Sequence, residues 1–205
     1  MTARIAAGLA LVAAALLLGF PATAGWLVAF DVPLFRLLAL TLGSPHPLVA
    51  SAQFVSHFGD VGVRSVLVIA VAALLIAIQC WRSAGAYLLI VSVSILGHTQ
   101  AKIHFARARP HLTPWLDSAG DMSYPSGHAA GSMVVLLTAA LMIRERRLRG
   151  AALALSLAIG MTRPMLGMHW PSDVIGGWLW GAGFALTGTG MAMKLGLPRA
   201  RVVAA

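Results

Sequence analysis

The sequence predicts an all-α fold: a polytopic membrane protein built as a six-transmembrane-helix bundle, with residues 1–205 forming one domain. Three observations lead there. Of the 205 residues, 59% are hydrophobic and only 10% charged, and the mean hydropathy is +0.85; soluble domains carry about 25% charged residues. The apolar residues gather into runs, the longest of which match the roughly 20 residues needed to cross a hydrocarbon core. The basic residues punctuate these runs instead of covering one face, so the net charge of +9 reflects short cytoplasmic loops and not nucleic-acid binding. A single cysteine, Cys80, excludes an intrachain disulfide, and no Cys/His pattern has zinc-ligand spacing, so no metal or other cofactor is expected.

Residues 5–30 carry no charged side chain and follow Arg4, which predicts the first span. Ala22-Thr23-Ala24 after a 16-residue apolar run also fits a leader cleavage site. Trp26 and Phe30 carry the apolar stretch on to an aromatic interface and favour a retained helix over that alternative. Residues 31–63 are mixed, with Asp31, Arg36 and Asp60, and with Pro33, Pro45 and Pro47 as breaks. There Leu34, Leu37, Leu38 and Leu42 have the spacing of a short helix lying in the interface. His46 and His57 receive no role.

Residues 66–81 predict the second span, Arg82 a tight turn, and residues 84–101 the third span. Cys80 falls at the inner end of its helix. Residues 129–143 predict the fourth, followed by Arg144, Arg146, Arg147 and Arg149 around Glu145. Residues 151–161 begin the fifth and 174–193 form the sixth, the short fourth and fifth extending into neighbouring polar residues. Gly131, Gly160, Gly176, Gly177 and Gly181 suit close helix packing in lipid.

Sidedness gives a check independent of any motif. With the N-terminus inside, nine basic residues are cytoplasmic: Arg4, Arg82, Arg144, Arg146, Arg147, Arg149, Lys194, Arg199 and Arg201. Six are outside: Arg36, Arg64, Lys102, Arg107, Arg109 and Arg163. The positive-inside rule is met, with both termini cytoplasmic. Three of the outer six belong to polar clusters that interrupt the hydrocarbon between residues 102 and 173.

Those clusters carry the chemistry. The first is Lys102, six residues, then Arg109-Pro110; the second is Tyr124-Pro125-Ser126-Gly127-His128; the third is Thr162-Arg163, five residues, His169, three residues, Asp173. Lys102, Arg109 and Arg163 are costly near a bilayer and by default functional. Brought together they would repel unless an anion lay between them, and a phosphoryl group matches the arginine fork and the lysine point charge. Ser126 is a favoured N-cap, and Gly127 lets backbone N–H groups approach a ligand at a helix N-terminus, a natural anion site. His128 there is placed to donate a proton. Asp173, four residues after His169 and with Pro171 suited to the first helical turn, is spaced to fix one ring nitrogen of His169 and leave the other free to attack.

Taken together, the clusters resemble the membrane-bound type 2 phosphatidic acid phosphatase family, in the superfamily of bacterial acid phosphatases and vanadium haloperoxidases. Its signature is Lys-x6-Arg-Pro, Pro-Ser-Gly-His and Ser-Arg-x5-His-x3-Asp; this chain departs from it only in having Thr162 for serine, which keeps the hydroxyl. The resemblance implies His169 as nucleophile, Asp173 as its orienting partner and His128 as general acid. Lys102, Arg109, Ser126, Gly127 and Arg163 would hold the phosphoryl oxygens. It implies metal-independent hydrolysis of a lipid phosphomonoester or diphosphate at the outer face of a bacterial plasma membrane, through a phosphohistidine. The implied partners are a lipid phosphate and the bilayer, and the motifs select neither one lipid nor an oligomeric state. A phosphotransferase using the same site and a non-catalytic transporter or scaffold are the alternatives. Arg107, His104 and His111 are read as a solvated outer loop or as headgroup-tuning residues, and His98 and Gln100 as hydrogen-bonding residues of the third span.

Overall fold

The computed structural model describes residues 1–118, 120, 122–143 and 146–197. Among them the chain forms eight helices: α1 (Thr2–Thr23), α2 (Val28–Leu38), α3 (His46–His57), α4 (Val61–Ala77), α5 (Trp81–Phe105), α6 (Gly127–Met142), α7 (Arg146–Met165) and α8 (Pro171–Lys194). An isolated antiparallel bridge joins Ala108 to Met122. Arg144, Glu145, Arg199 and Arg201 lie outside the described residues.

The bundle is organised around α6. Twelve of its sixteen residues are buried, as expected of a helix apolar around its whole circumference. It packs against α8, α7 and α5. Close approach to α8 depends on bare Cα atoms. A Cβ on Gly181 would stand 2.4 Å from the Ala130 carbonyl, and one on Gly177 would stand 2.7 Å from that of Ser126. On the other side of α8 lies α1, with Gly8 against Thr187 and Gly183 against Val12. Leu9, Leu17 and Phe20 of α1, Val66 and Ile69 of α4, and Leu89, Leu96 and Ile103 of α5 are exposed. So continuous an apolar surface fits contact with lipid.

Two helices, α1 and α5, are each long and apolar enough to cross a membrane; α3 and α4, bent by 45° at residues 58–60, make a third if taken as one broken span. By length, α6 falls short, since sixteen residues rise about 24 Å against a core of about 30 Å. Length and apolarity alone therefore mark two or three spans where the sequence pattern predicts six.

The element boundaries correct the sequence pattern in three places. Residues 31–63 hold parts of three helices, not one: α2 ends at Leu38, so Leu42 lies beyond it, and α3 follows Pro45. The α4–α5 turn falls at residues 78–80, where Gln79 adopts φ 60°; Arg82 is in the first turn of α5, and Cys80 caps that helix. No glycine or proline marks that reversal, which is why the pattern placed it at Arg82. α5 continues to Phe105 and so carries Lys102 on its last turn.

Candidate active site

The three clusters meet at one end of the bundle, where α5 and α7 finish and α6 and α8 begin. The opposite helix ends carry Arg4, Arg82, Arg146, Arg147, Arg149 and Lys194, with the Arg4 guanidinium 3.2 Å from Met193 Sδ. At the site end, Ser126 N–H donates to the Asp173 carbonyl over 3.0 Å, tying the start of α6 to that of α8.

His169 lies in the turn between α7 and α8, 2% exposed. Its Nδ1 faces Asp173 Oδ2 at 3.4 Å, and its Nε2 is 2.9 Å from Arg109 Nη1. Arginine has only donors, so Nε2 accepts and the ring proton belongs on Nδ1, toward Asp173. Burial, reinforced by Arg109, Lys102 and Arg163, pushes His169 well below the ordinary imidazole range. A neutral ring with a bare Nε2 results. Pro171 stands at the first position of α8, and Asp173 Oδ2 also accepts the Trp170 N–H at 2.8 Å, so the acid caps the helix that carries it.

The cations are held by backbone and side-chain acceptors. Lys102 Nζ donates to the Met122 carbonyl at 2.6 Å. Arg109 donates to the carbonyls of Gly120 and Met168 and lies over Trp115, 6.0 Å from the ring centroid. Arg163, on the last turn of α7 and 2% exposed, donates to Ser56 Oγ at 2.6 Å and to Asp117 Oδ2 at 2.9 Å. Among the described residues its Nε is buried and has no acceptor, and Ser126 Oγ is likewise buried without a partner. Ser126 does occupy the N-cap position of α6, but it makes no side-chain cap bond. Buried unsatisfied donors are costly, and these two suit oxygens of a bound anion. Gly127 opens α6 beside them, its carbonyl accepting from Arg64 Nη1 at 2.9 Å. His98 Nε2 lies 3.1 Å from the Pro125 carbonyl, fixing the same turn from α5.

Three residues that the motifs do not assign complete the support of Asp173. Arg107, read from sequence as loop or headgroup-tuning, is 7% exposed and reaches inward. It donates to Asp173 Oδ1 at 2.6 Å, to Ser172 Oγ at 2.8 Å and to Asp31 Oδ2 at 2.7 Å. Asp31 on α2 accepts from Ser172 N–H and Oγ as well. The sequence did hold a signal. Asp31 is one of six acidic residues in the chain and sits in an apolar run, where an acid needs a partner.

His128, on the first turn of α6, has Nε2 3.1 Å from Asp60 Oδ1. Arg163, Arg64, His169 and Arg109 lie within electrostatic range of it. The two histidines and three cations of the motifs are thus gathered, with Arg64, Arg107 and His98, around one polar end of an otherwise apolar bundle.

Residues 83–196, a stretch containing every one of these clusters, match the family model of the PAP2 superfamily. The chain belongs to the PAP2 superfamily. It is an integral membrane protein. Among its PAP2 relatives, the undecaprenyl-diphosphatase of Sulfolobus acidocaldarius is 32% identical over 166 residues, covering 76% of this chain and 75% of the relative. The lipid A 1-phosphatase of Rhizobium etli is 38% identical over 112 residues, 50% of this chain and 47% of the relative; the chain thus spans about half the length of that protein. The PAP2-type phosphatidylglycerolphosphate phosphatase of Bacillus subtilis has a similar fold, with a TM-score of 0.83 over 92% of this chain and 96% of that one, at 20% identity.

Proposed function

We propose that this protein hydrolyses a phosphomonoester or diphosphate of a membrane lipid through a phosphohistidine on His169. The observation that carries the reading is the orientation of His169: Nδ1 toward Asp173, Nε2 bare and beside Arg109. That is the arrangement a nitrogen nucleophile requires. His169 Nε2 attacks phosphorus as the bond to the lipid oxygen breaks, and His128 protonates the departing oxygen. Water then attacks the phosphohistidine with His128 as base. Asp173 orients His169 and compensates the charge that develops on it. Lys102, Arg109, Arg163, Ser126 Oγ and the backbone N–H at Gly127 hold the phosphoryl oxygens, where charge accumulates in the transition state. The unsatisfied Ser126 Oγ and Arg163 Nε support that assignment.

All 205 residues form one domain on this reading, with the motif core at 102–173. The helices that fall short singly complete six crossings with their flanking turns, and the cation-rich helix ends opposite the site face the cytoplasm. The site then opens to the exterior of a bacterial plasma membrane. α1 contributes packing to α8 and an acceptor, the Ala15 carbonyl, to Tyr124, which favours its retention over removal as a leader. Undecaprenyl diphosphate leads as substrate, because the relative of that activity aligns over three quarters of both chains. Phosphatidylglycerol phosphate, phosphatidic acid and lipid A follow.

The test is phosphate release by purified protein in detergent micelles with excess chelator, over those four lipids, with His169→Ala alongside. Release from one lipid, lost in the variant, supports the reading and names the substrate. Strict magnesium dependence counts against it. A folded protein that forms phosphohistidine without releasing phosphate is a phosphotransferase, and the lipid-hydrolase reading is then replaced.

A further inference from the structure

The geometry points to Asp60 as the positioning residue for His128: it holds Nε2 of that ring and leaves Nδ1 as the nitrogen that exchanges a proton with the departing oxygen. This rests on the phosphatase reading for the role of His128, but not for the contact itself.

Three observations carry it. Asp60 sits at the N-cap of α4, where an aspartate ordinarily accepts a backbone N–H of the first turn, yet it makes no side-chain cap bond. Its carboxylate is instead spread between two rings, with Oδ2 at 2.7 Å from His57 Nδ1 and Oδ1 at 3.1 Å from His128 Nε2. The contacts with the two histidines stand in place of a cap that would otherwise stabilise the helix. The preceding residue shapes the same seat. A Cβ on Gly59 would stand 2.4 Å from His128 Cδ2, so only a bare Cα lets this turn lie against the imidazole edge.

The electrostatics require such a partner. To act as an acid, His128 must carry a proton, and the guanidinium groups of Arg163, Arg64 and Arg109 lie within electrostatic range of it. Among the described residues, the carboxylate in contact with the ring is that of Asp60. His57, whose side chain is 64% exposed, contacts the same carboxylate from the solvent side. The site thus holds two histidine–carboxylate pairs of opposite ring polarity. Asp173 takes Nδ1 of His169 and frees Nε2 for phosphorus; Asp60 takes Nε2 of His128 and frees Nδ1 for a proton. In the first half-reaction the Nδ1 proton passes to the lipid oxygen as the P–O bond breaks and the P–N bond forms. In the second, a water proton returns to Nδ1 as the new P–O bond forms and the P–N bond breaks.

The experiment compares wild type, Asp60→Asn, Asp60→Ala, His57→Ala and His128→Ala. Hydrolysis of the four panel lipids is followed from pH 5 to 9, and side-chain ¹⁵N spectra of histidine-labelled protein are recorded in micelles. Asp60→Asn, which keeps the shape and removes the charge, should lower kcat about tenfold with KM within twofold; His128→Ala should cost about 10²–10⁴. An imidazolium deprived of its carboxylate loses its proton more readily, so the alkaline limb of kcat should move to lower pH in Asp60→Asn. His57→Ala should leave rate and limb within twofold of wild type. In the spectra, His128 should be protonated on Nε2 in wild type and mixed between nitrogens in Asp60→Ala. Wild-type kcat and an unmoved limb in Asp60→Asn, beside an inactive His128→Ala, would overturn the proposal. A loss in KM alone would overturn it too, by making Asp60 merely structural. If His128→Ala is fully active, the phosphatase reading is what has failed. The ¹⁵N spectra still decide whether the contact exists.

Discussion

His169 and His128 stand at one site, each beside a carboxylate, in opposite settings. His169 and Asp173 are almost wholly buried, and Asp173 is gripped by Arg107, the Trp170 N–H and, through Arg107, Asp31. His128 and Asp60 are 18% and 44% exposed in their side chains, and Asp60 is shared with a solvent-facing histidine. The residue proposed as nucleophile, which must form a bond of defined length, is immobilised by charge and backbone. The group proposed to pass protons is left near water. Rigidity and proton exchange make contrary demands, and the two ends of the site meet them separately.

The largest expected effect falls on the buried pair. His169→Ala should reduce phosphate release on the order of 10⁴-fold or more, and acid-labile phosphoprotein trapped during turnover should vanish. If that species persists, the two histidines have been assigned in reverse. Removing one cradle donor comes next. Arg163→Ala should cost about 10²–10³ in kcat, measured with the same lipid, while the unfolding midpoint shows whether the loss of its Asp117 contact matters separately.

Arg107→Ala sharpens the contrast in stability. It leaves Asp31 and Asp173 buried and without their shared cation, which should cost roughly 3–5 kcal/mol. Asp31→Asn in the same chain should recover part of that loss, read by thermal unfolding in micelles. The pH dependence has a definite sign. Burial holds His169 below its unfolded value of about 6.5, so the folded state binds its proton less readily than the unfolded chain. The neutral ring therefore costs nothing above pH 6.5, and stability falls as pH drops below it toward the folded value. The ¹⁵N signals of His169 should remain those of a neutral ring at pH 6. The smallest effect is Tyr124→Phe, which removes the hydroxyl donating to the Ala15 carbonyl. It should cost about 1 kcal/mol and leave kcat unchanged.

Much of this was legible because membrane sequences make polar residues expensive. Lys102, Arg109, His128, Arg163, His169 and Asp173 stand out against hydrocarbon, and all lie at one end of the bundle. Arg107 and Asp31 escaped because nothing in a one-dimensional pattern says that residues 31 and 107 converge on residue 173. Asp60 escaped for a similar reason. In the sequence it is one charge of a mixed segment, and only the structure puts it at the N-cap of α4 with its carboxylate turned toward α6. The α4–α5 reversal was misplaced because Gln79 takes a left-handed conformation without glycine to announce it.

By itself, then, the sequence determined an all-helical membrane fold, the polar clusters that meet at one end of the bundle and the family resemblance, because apolar runs and motif spacing are local properties. Tertiary structure decided which nitrogen of each histidine is free and which carboxylate holds the other. It also decided that Arg107 is a buried bridge and that the sixteen-residue α6 is the core. Those depend on contacts between helices far apart in the chain, where close packing through Gly177 and Gly181 and the pairing of buried charges select one arrangement.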